Sequence, residues 1–244
     1  MIDKNKKIQV TDQTCFTFDC HPGISCFTDC CNDVDMTLYP YDIIRLKNRL
    51  NIESEQFLTQ FADMDFDEGC WFPRIKLKLS DNNACPFLQT SGCSVYEDRP
   101  YACRVYPLAH SVMRACSHDD QQSKYFLIRH DYCRGHEAPK LWKLSEWIFS
   151  SGLKVFNEMN AQWITVDTLL KSYPFGHSGM NVNFFKLLFC AAYNPDNFRD
   201  MMPDCLTSEM NIPKQLINDA KTCDISLMKV GFMFIIYCLT GDDL

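Results

Sequence analysis

The chain has 244 residues, 46% apolar and 13% aromatic, with 24 basic against 31 acidic side chains and a formal net charge of −7. Such a chain can bury a real core and is not a disordered one. It has no basic block, so nothing electrostatic points to nucleic acid.

Met1 to Thr14 is polar, carries Lys4, Lys6 and Lys7, and is followed by no apolar run, so no export signal is expected. Thr37 to Leu50 reads as a helix with Pro40 in its first turn; Ile43, Ile44, Leu46 and Leu50 lie on one side and Arg45, Lys47 and Arg49 on the other. A short helix is expected from Ser54, a good N-cap, with Phe57, Leu58 and Phe61 inward. Ile75 to Leu79 alternates apolar and basic residues, the pattern of a half-buried strand. A strand pair is expected over Cys85–Leu88 and Cys93–Tyr96, turning at Gln89–Gly92. Helical spacing resumes at Leu141 and runs through Leu144, Ile148, Val155 and Met159. Further helices are expected over Asn183–Tyr193, Ile212–Asp219 and Leu227–Leu239. The apolar run Val230–Leu239 is about half the ~20 residues that span a bilayer, so a buried helix is expected there and no membrane segment.

The expected fold is α+β: a loop-rich cysteine core with short strands and helices, then a helical C-terminal part. The division is placed near Ala138-Pro139, giving a metal-binding domain over residues 1–138 and a helical extension over 139–244 packed on it.

The cysteines set the chemistry. There are 15, eleven of them between Cys15 and Cys133, with Cys190, Cys205, Cys223 and Cys238 beyond. Without an export signal a reducing, cytoplasmic compartment is expected, where disulfides are disfavoured and closely spaced cysteines most often bind metal. One cluster holds Cys20, Cys26, Cys30 and Cys31 around the turn His21-Pro22-Gly23. A second holds Cys85, Cys93 and Cys103, the last flanked by Arg99 and Arg104, and a third is Cys133-Arg134-Gly135-His136. A tetrahedral site needs several soft ligands within a few ångströms of one ion, and loops rich in Gly and Pro let the backbone fold around it. Adjacent residues such as Cys30 and Cys31 tend to point apart, so they could serve one site or two. His21, His136 or Cys15 could replace a thiolate; Cys70, Cys116 and the four C-terminal cysteines read as small buried hydrophobes. Asp63, Asp65, Asp67 and Glu68 lack calcium-loop spacing and read as a solvated loop. No catalytic signature is present, so the sequence assigns no reaction.

The stretch from Gly92-Cys93 through Glu97-Asp98-Arg99-Pro100 to Cys103 and Tyr106-Pro107, with the double cysteine and the Leu38–Leu46 segment after it, resembles the YkgJ-type cysteine-cluster family, a zinc- or iron-chelating domain with a C-x2-C-x2-C-C hallmark. The resemblance implies a metal on Cys20, Cys26, Cys30, Cys31, Cys85, Cys93, Cys103 and Cys133. Here five residues separate Cys20 from Cys26 and three separate Cys26 from Cys30, which departs from the hallmark. A related cluster in flagellin lysine N-methylase brings in methyl transfer. Two expectations follow: an iron–sulfur centre with a redox or cluster-assisted role, favoured by Phe27, Phe87, Tyr96 and Tyr106 among the ligands, or zinc stapling an interaction module. The partner, protein or small molecule, stays open.

Overall fold

The computed structural model describes residues 8–114, 121–173, 181–206 and 210–241. In chain order its strands and helices are β1 (Ile8–Val10), β2 (Phe16–Thr17), β3 (Thr37–Leu38), α1 (Pro40–Leu50), α2 (Ser54–Phe61), β4 (Ala62–Asp65), β5 (Arg74–Leu77), β6 (Leu88–Gln89), β7 (Gly92–Cys93) and α3 (Tyr101–Val105). Then follow β8 (Leu108–Arg114), β9 (Gln121–Leu127), β10 (Leu141–Trp142), α4 (Leu144–Ser150), α5 (Leu153–Ser172), α6 (Val182–Tyr193), α7 (Pro195–Cys205), α8 (Lys214–Ala220) and α9 (Asp224–Thr240). Helix outweighs strand and every sheet is short and antiparallel, the α+β class the sequence implied. No described helix is long and apolar enough to cross a membrane.

The chain forms two compact units, one within Met1–Val34, Ser80–Ser94 and Tyr101–Val155, the other within Asp35–Leu79, Val95–Pro100 and Phe156–Leu244. Neither is continuous, so a cut near Ala138-Pro139 does not separate them. Asp35–Leu79, placed with the cysteines by its position in sequence, groups instead with the C-terminal helices.

The second unit has an ordinary helical core. α1 starts at Pro40, later than Thr37, because Thr37 and Leu38 pair with Lys76 and Ile75 in the sheet β3-β5-β4. The Tyr39 N–H donates to the Asp42 carboxylate at 2.9 Å and so closes the helix N-terminus. Ile43, Leu46 and Phe57 are fully buried, as are Leu227, Val230 and Ile235 of α9. The acidic run forms β4 rather than a free loop at Asp63 and Asp65, and Asp65 and Asp67 pair with Arg74. α9 approaches α6 so closely that a Cβ on Gly231 would lie 2.3 Å from the Ala191 carbonyl oxygen.

One polar network threads that core. Lys47, expected on the solvent side, is only 5% exposed. Its ammonium lies 3.2 Å from Asp196 and 3.1 Å from Asp224. Arg199 also pairs with Asp224. Ser54 does not cap α2, a place taken by Glu53. Its N–H donates to Asp196 at 2.7 Å and its hydroxyl to the Asn194 side chain at 2.6 Å. The network thus ties α1, α2, α7 and α9 together, and its members satisfy one another, which burial requires. Burial pushes the Asp196 carboxyl up, but the Ser54 donors and the Lys47 charge outweigh it and hold it below the usual carboxylate value.

The first unit has little regular structure. β1, β9 and β8 make its three-stranded sheet, and β2-β10 and β6-β7 are two-residue pairs. The expected hairpin around Gln89–Gly92 exists, but only as Leu88↔Cys93 and Gln89↔Gly92. Leu141 opens no helix; it pairs with Thr17 and is 63% exposed.

Gly231→Ala is expected to force α6 and α9 apart and cost about 1–3 kcal/mol, the usual scale of overpacking, read as a lower urea midpoint of the helical signal. Lys47→Met takes the ammonium away from Asp196 and leaves Asp224 with Arg199 alone, a loss of about 3–5 kcal/mol. The folded Asp196 value lies below the unfolded one of about 3.9, so its stabilisation is complete above that value and fades as pH falls through the folded one. Lys47→Met, which raises the folded value, should move acid unfolding of the helices to higher pH by circular dichroism.

Candidate metal centre

All eight candidate cysteines lie in the first unit. Backbone pairing between distant segments brings together the stretches around Cys20–Cys31, Cys85–Cys93 and Cys133. Phe16 and Thr17 pair with Trp142 and Leu141, and the ladder continues as the Phe18 N–H donates to the Lys140 carbonyl at 3.0 Å and the Asp19 N–H to the Gly135 carbonyl at 3.0 Å. Cys20 therefore leaves the ladder beside the Cys133 segment. Gly135 has to be glycine for this: a Cβ there would lie 2.6 Å from the Phe18 ring and 2.7 Å from the Asp19 carbonyl oxygen. The Thr17 hydroxyl donates to the His136 carbonyl at 3.0 Å and the Trp142 indole N–H to the Phe18 carbonyl at 2.7 Å, closing the same seam.

A second contact joins the double cysteine to the Cys85 segment. The Cys85 N–H donates to the Cys31 carbonyl at 2.7 Å and the Asp33 N–H to the Asn83 carbonyl at 2.8 Å, flanking the bridge between Asn32 and Ala84. The β6-β7 hairpin then returns Cys93 toward Cys85. Gly92 takes a φ of 118°, and a Cβ there would sit 3.2 Å from the Phe27 ring, so the hairpin tucks against the Cys26–Cys30 loop.

The Arg134 N–H lies 3.1 Å from the Cys26 sulfur. Burial raises the Cys85 thiol, and the Phe87 and Leu88 amides oppose that shift only in part. Amide donors stabilise anionic sulfur, the form that binds metal. Burial of its sulfur, then the charges of Cys30, Cys133 and Cys26, push the Cys20 thiol up to about 11. Cys30 and Cys31 share a hydrogen bond that lowers Cys30 to about 7 and raises Cys31, which keeps the proton; Cys85 and Cys103 raise Cys31 further. Burial, then a hydrogen bond to the Cys133 thiol, raises the Tyr106 phenol. Removing protons from such mutually repelling thiols needs a cation, and a bound metal supplies that free energy.

A donor set drawn from these cysteines would be all sulfur and would suit a thiophilic metal. Among the described residues no group of three or more His, Cys, Asp or Glu side chains is arranged so that it could hold an ion. The thiols are within electrostatic reach of one another, and metal–sulfur distances require the side chains to close further.

Other sequence expectations fall out differently. No disulfide is formed among the described cysteines. Of the cysteines expected as small buried hydrophobes, Cys190 is buried, Cys70 and Cys238 are half-buried and Cys223 is exposed, while Cys116 and the Cys205 side chain lie outside the described residues; Cys15 is exposed. The Arg104 guanidinium is buried and donates to the Ser151 carbonyl at 2.9 Å. Arg99 lies over the Tyr96 ring at 4.0 Å, and Asp98 pairs with Arg45. Tyr96 is 54% exposed, whereas Phe87 is buried. The His21 ring accepts from the Gly23 N–H at 3.1 Å and so braces its own turn. The His136 Nε2 is 3.4 Å from the Tyr106 hydroxyl. The amide donors to sulfur had no signature in the sequence, since every residue but proline carries one.

Residues 19–134 match the profile of the CxxCxxCC family, described as "Putative zinc- or iron-chelating domain". The similarity is confined to this cysteine-bearing stretch, a little under half of the chain. The matched span contains all eight candidate cysteines and ends just after Cys133. No curated protein and no solved structure matches the chain.

Gly135→Val is expected to part the Phe16–Asp19 ladder from the Cys133 segment and so lower the metal-to-protein ratio of purified protein severalfold. The helical circular-dichroism signal, which comes mainly from the other unit, should hold.

Proposed function

We propose that this is a metalloprotein whose ligands are Cys20, Cys26, Cys30, Cys31, Cys85, Cys93, Cys103 and Cys133, carrying an iron–sulfur centre with a redox role. The observation that supports the ligand set is the meeting of three distant segments, around residues 20–31, 85–93 and 133, through backbone contacts. Favouring iron–sulfur are the amide donors at Cys26 and Cys85 and the shielding by Phe87, because hydrogen bonds to sulfur and solvent exclusion tune the potential of such a centre. When bound, the centre would supply one-electron chemistry; the chain would hold it, donate N–H groups to its sulfurs and keep water away. The free thiols fit a reducing compartment such as the cytoplasm.

One observation favours zinc as the second reading. Apart from the β1-β9-β8 sheet and the short helices α3 and α4, the described part of the first unit is built of two-residue strand pairs, single helical turns and loops, and structural zinc sites supply folding energy to such loop-rich domains.

Protein purified without oxygen distinguishes the two. The expected result is a brown protein with iron and acid-labile sulfide and visible absorbance that bleaches on reduction. Colourless protein with stoichiometric zinc would overturn the redox reading and leave a zinc-stapled module.

A further inference from the structure

We propose that Ser123 is an activated nucleophile, with His110 as its general base and Tyr101 as the residue that positions the base, and that this site takes the acyl group of activated carboxylic esters. It uses none of the candidate cysteines and does not depend on the metal reading.

The strand register builds the site. β8 and β9 run antiparallel, with His110 opposite Tyr125 and Val112 opposite Ser123. Side chains alternate along a strand, so His110, Tyr125 and Ser123 share one face of the sheet, and Ser111 and Lys124 share the other. The His110 ring lies on the buried Tyr125 ring, 4.5 Å between centroids and 11° from parallel. That stack fixes the plane of the imidazole and leaves its two nitrogens to separate partners. Nε2 lies 3.1 Å from the Oγ of Ser123, its diagonal neighbour on β9. Nδ1 lies 2.7 Å from the hydroxyl of Tyr101, which α3 brings in. A hydroxyl, a base and an orienting group, each within about 2.6–3.2 Å of the next, form the arrangement that activates a serine.

Burial is unequal along this chain of contacts. Tyr101 is 7% exposed and His110 half-buried, whereas Ser123 is exposed. The base is held from behind, and the nucleophile faces the solvent from which a substrate arrives. Burial alone also lowers His110 below the usual histidine value, so the ring is neutral at pH 7 and keeps a lone pair for the serine proton.

The working tautomer carries its hydrogen on Nδ1, which donates to the Tyr101 oxygen, and leaves Nε2 to accept from Ser123. As the Ser123 Oγ attacks an ester carbonyl, a C–O bond forms and the serine proton passes to Nε2. The bond to the leaving group then breaks, and the alkoxide or phenoxide takes that proton. Water next gives a proton to Nε2 while its oxygen attacks the acyl carbon, and the carboxylic acid departs as Ser123 recovers its proton. Tyr101 is neutral, so it orients an imidazolium without the charge stabilisation that a carboxylate supplies. Such a site suits esters whose leaving group departs readily.

The probe is a fluorophosphonate, which forms a serine O–P bond with loss of fluoride, applied to the full chain as purified and mapped by peptide mass spectrometry. An adduct on Ser123 is expected. Ser123→Ala should abolish it, and His110→Gln should slow it about a hundredfold or more, the scale of a general base. Labelling should be level near pH 7 and fall at pH below the lowered His110 value, where the ring is protonated and can accept nothing. Labelling of Ser123 no faster than in the urea-unfolded chain, or unchanged by His110→Gln, would overturn the proposal. The natural chain gives a second test that no loss of folding can confound. Imidazole nitrogen-15 spectra should place the His110 hydrogen on Nδ1, and Tyr101→Phe should remove that preference, which a packing role alone would not do. A hydrogen on Nε2 in the natural chain would overturn the assignment of His110 as the base.

Discussion

Everything proposed for the cysteines depends on one seam, the antiparallel contact of Phe16–Asp19 with the stretch from Gly135 to Trp142. It joins segments more than a hundred residues apart and closes the first unit as a ring. Its tightness is set by the missing side chain of Gly135, which lets the Asp19 backbone pass where any Cβ would collide. Without that seam Cys20 and Cys133 have no reason to meet, and the loop between Cys20 and Cys31 loses the amide that Arg134 gives to Cys26. A long loop closed by a few hydrogen bonds carries a large entropic cost. A metal held by thiolates from both sides of the seam would offset it.

The two units are stabilised by different physics. In the second, helices bury Ile43, Leu46, Phe57, Phe198, Leu227 and Ile235, and a satisfied ion-pair network around Lys47 fixes their register. Such a unit can hold its fold by apolar burial alone. The first unit has aromatic contacts, Phe18 against Tyr106 and Trp147 among them, and one three-stranded sheet. Against these stand several crowded thiols that resist ionisation while no cation is present. That imbalance is what a metal would correct, because it favours the thiolate form and crosslinks the loops in the same step.

The sequence carried the chemistry better than the architecture. Clustered cysteines with Gly and Pro between them, and the motif from Cys93 to Pro107, were legible because soft ligands and turn residues have few other uses together. α6, α8 and α9 were legible from helical spacing, with boundaries off by a few residues. The interleaving of the units was not legible, since Asp35–Leu79 joins the later helices through tertiary burial that no local pattern encodes. Lys47 read as a surface residue because a helix face shows its charge and not the distant Asp196 and Asp224 that receive it. Leu141 read as helical because its spacing matched; the Phe16 and Thr17 strand that captures it lies far away in sequence. Leu108–Arg114 and Gln121–Leu127, two paired strands of seven residues each, were not legible, as their mixed polar pattern carries only a weak period of two.

The central claim is that metal, held by thiolates across the seam, maintains the first unit. Amide hydrogen exchange on the full chain, before and after chelation under reducing conditions, tests this most directly. The account predicts that chelation removes protection from the segments around residues 16–33, 83–93 and 133–142, while α1, α6 and α9 keep theirs. Unchanged protection of those segments after the metal has been removed would contradict it.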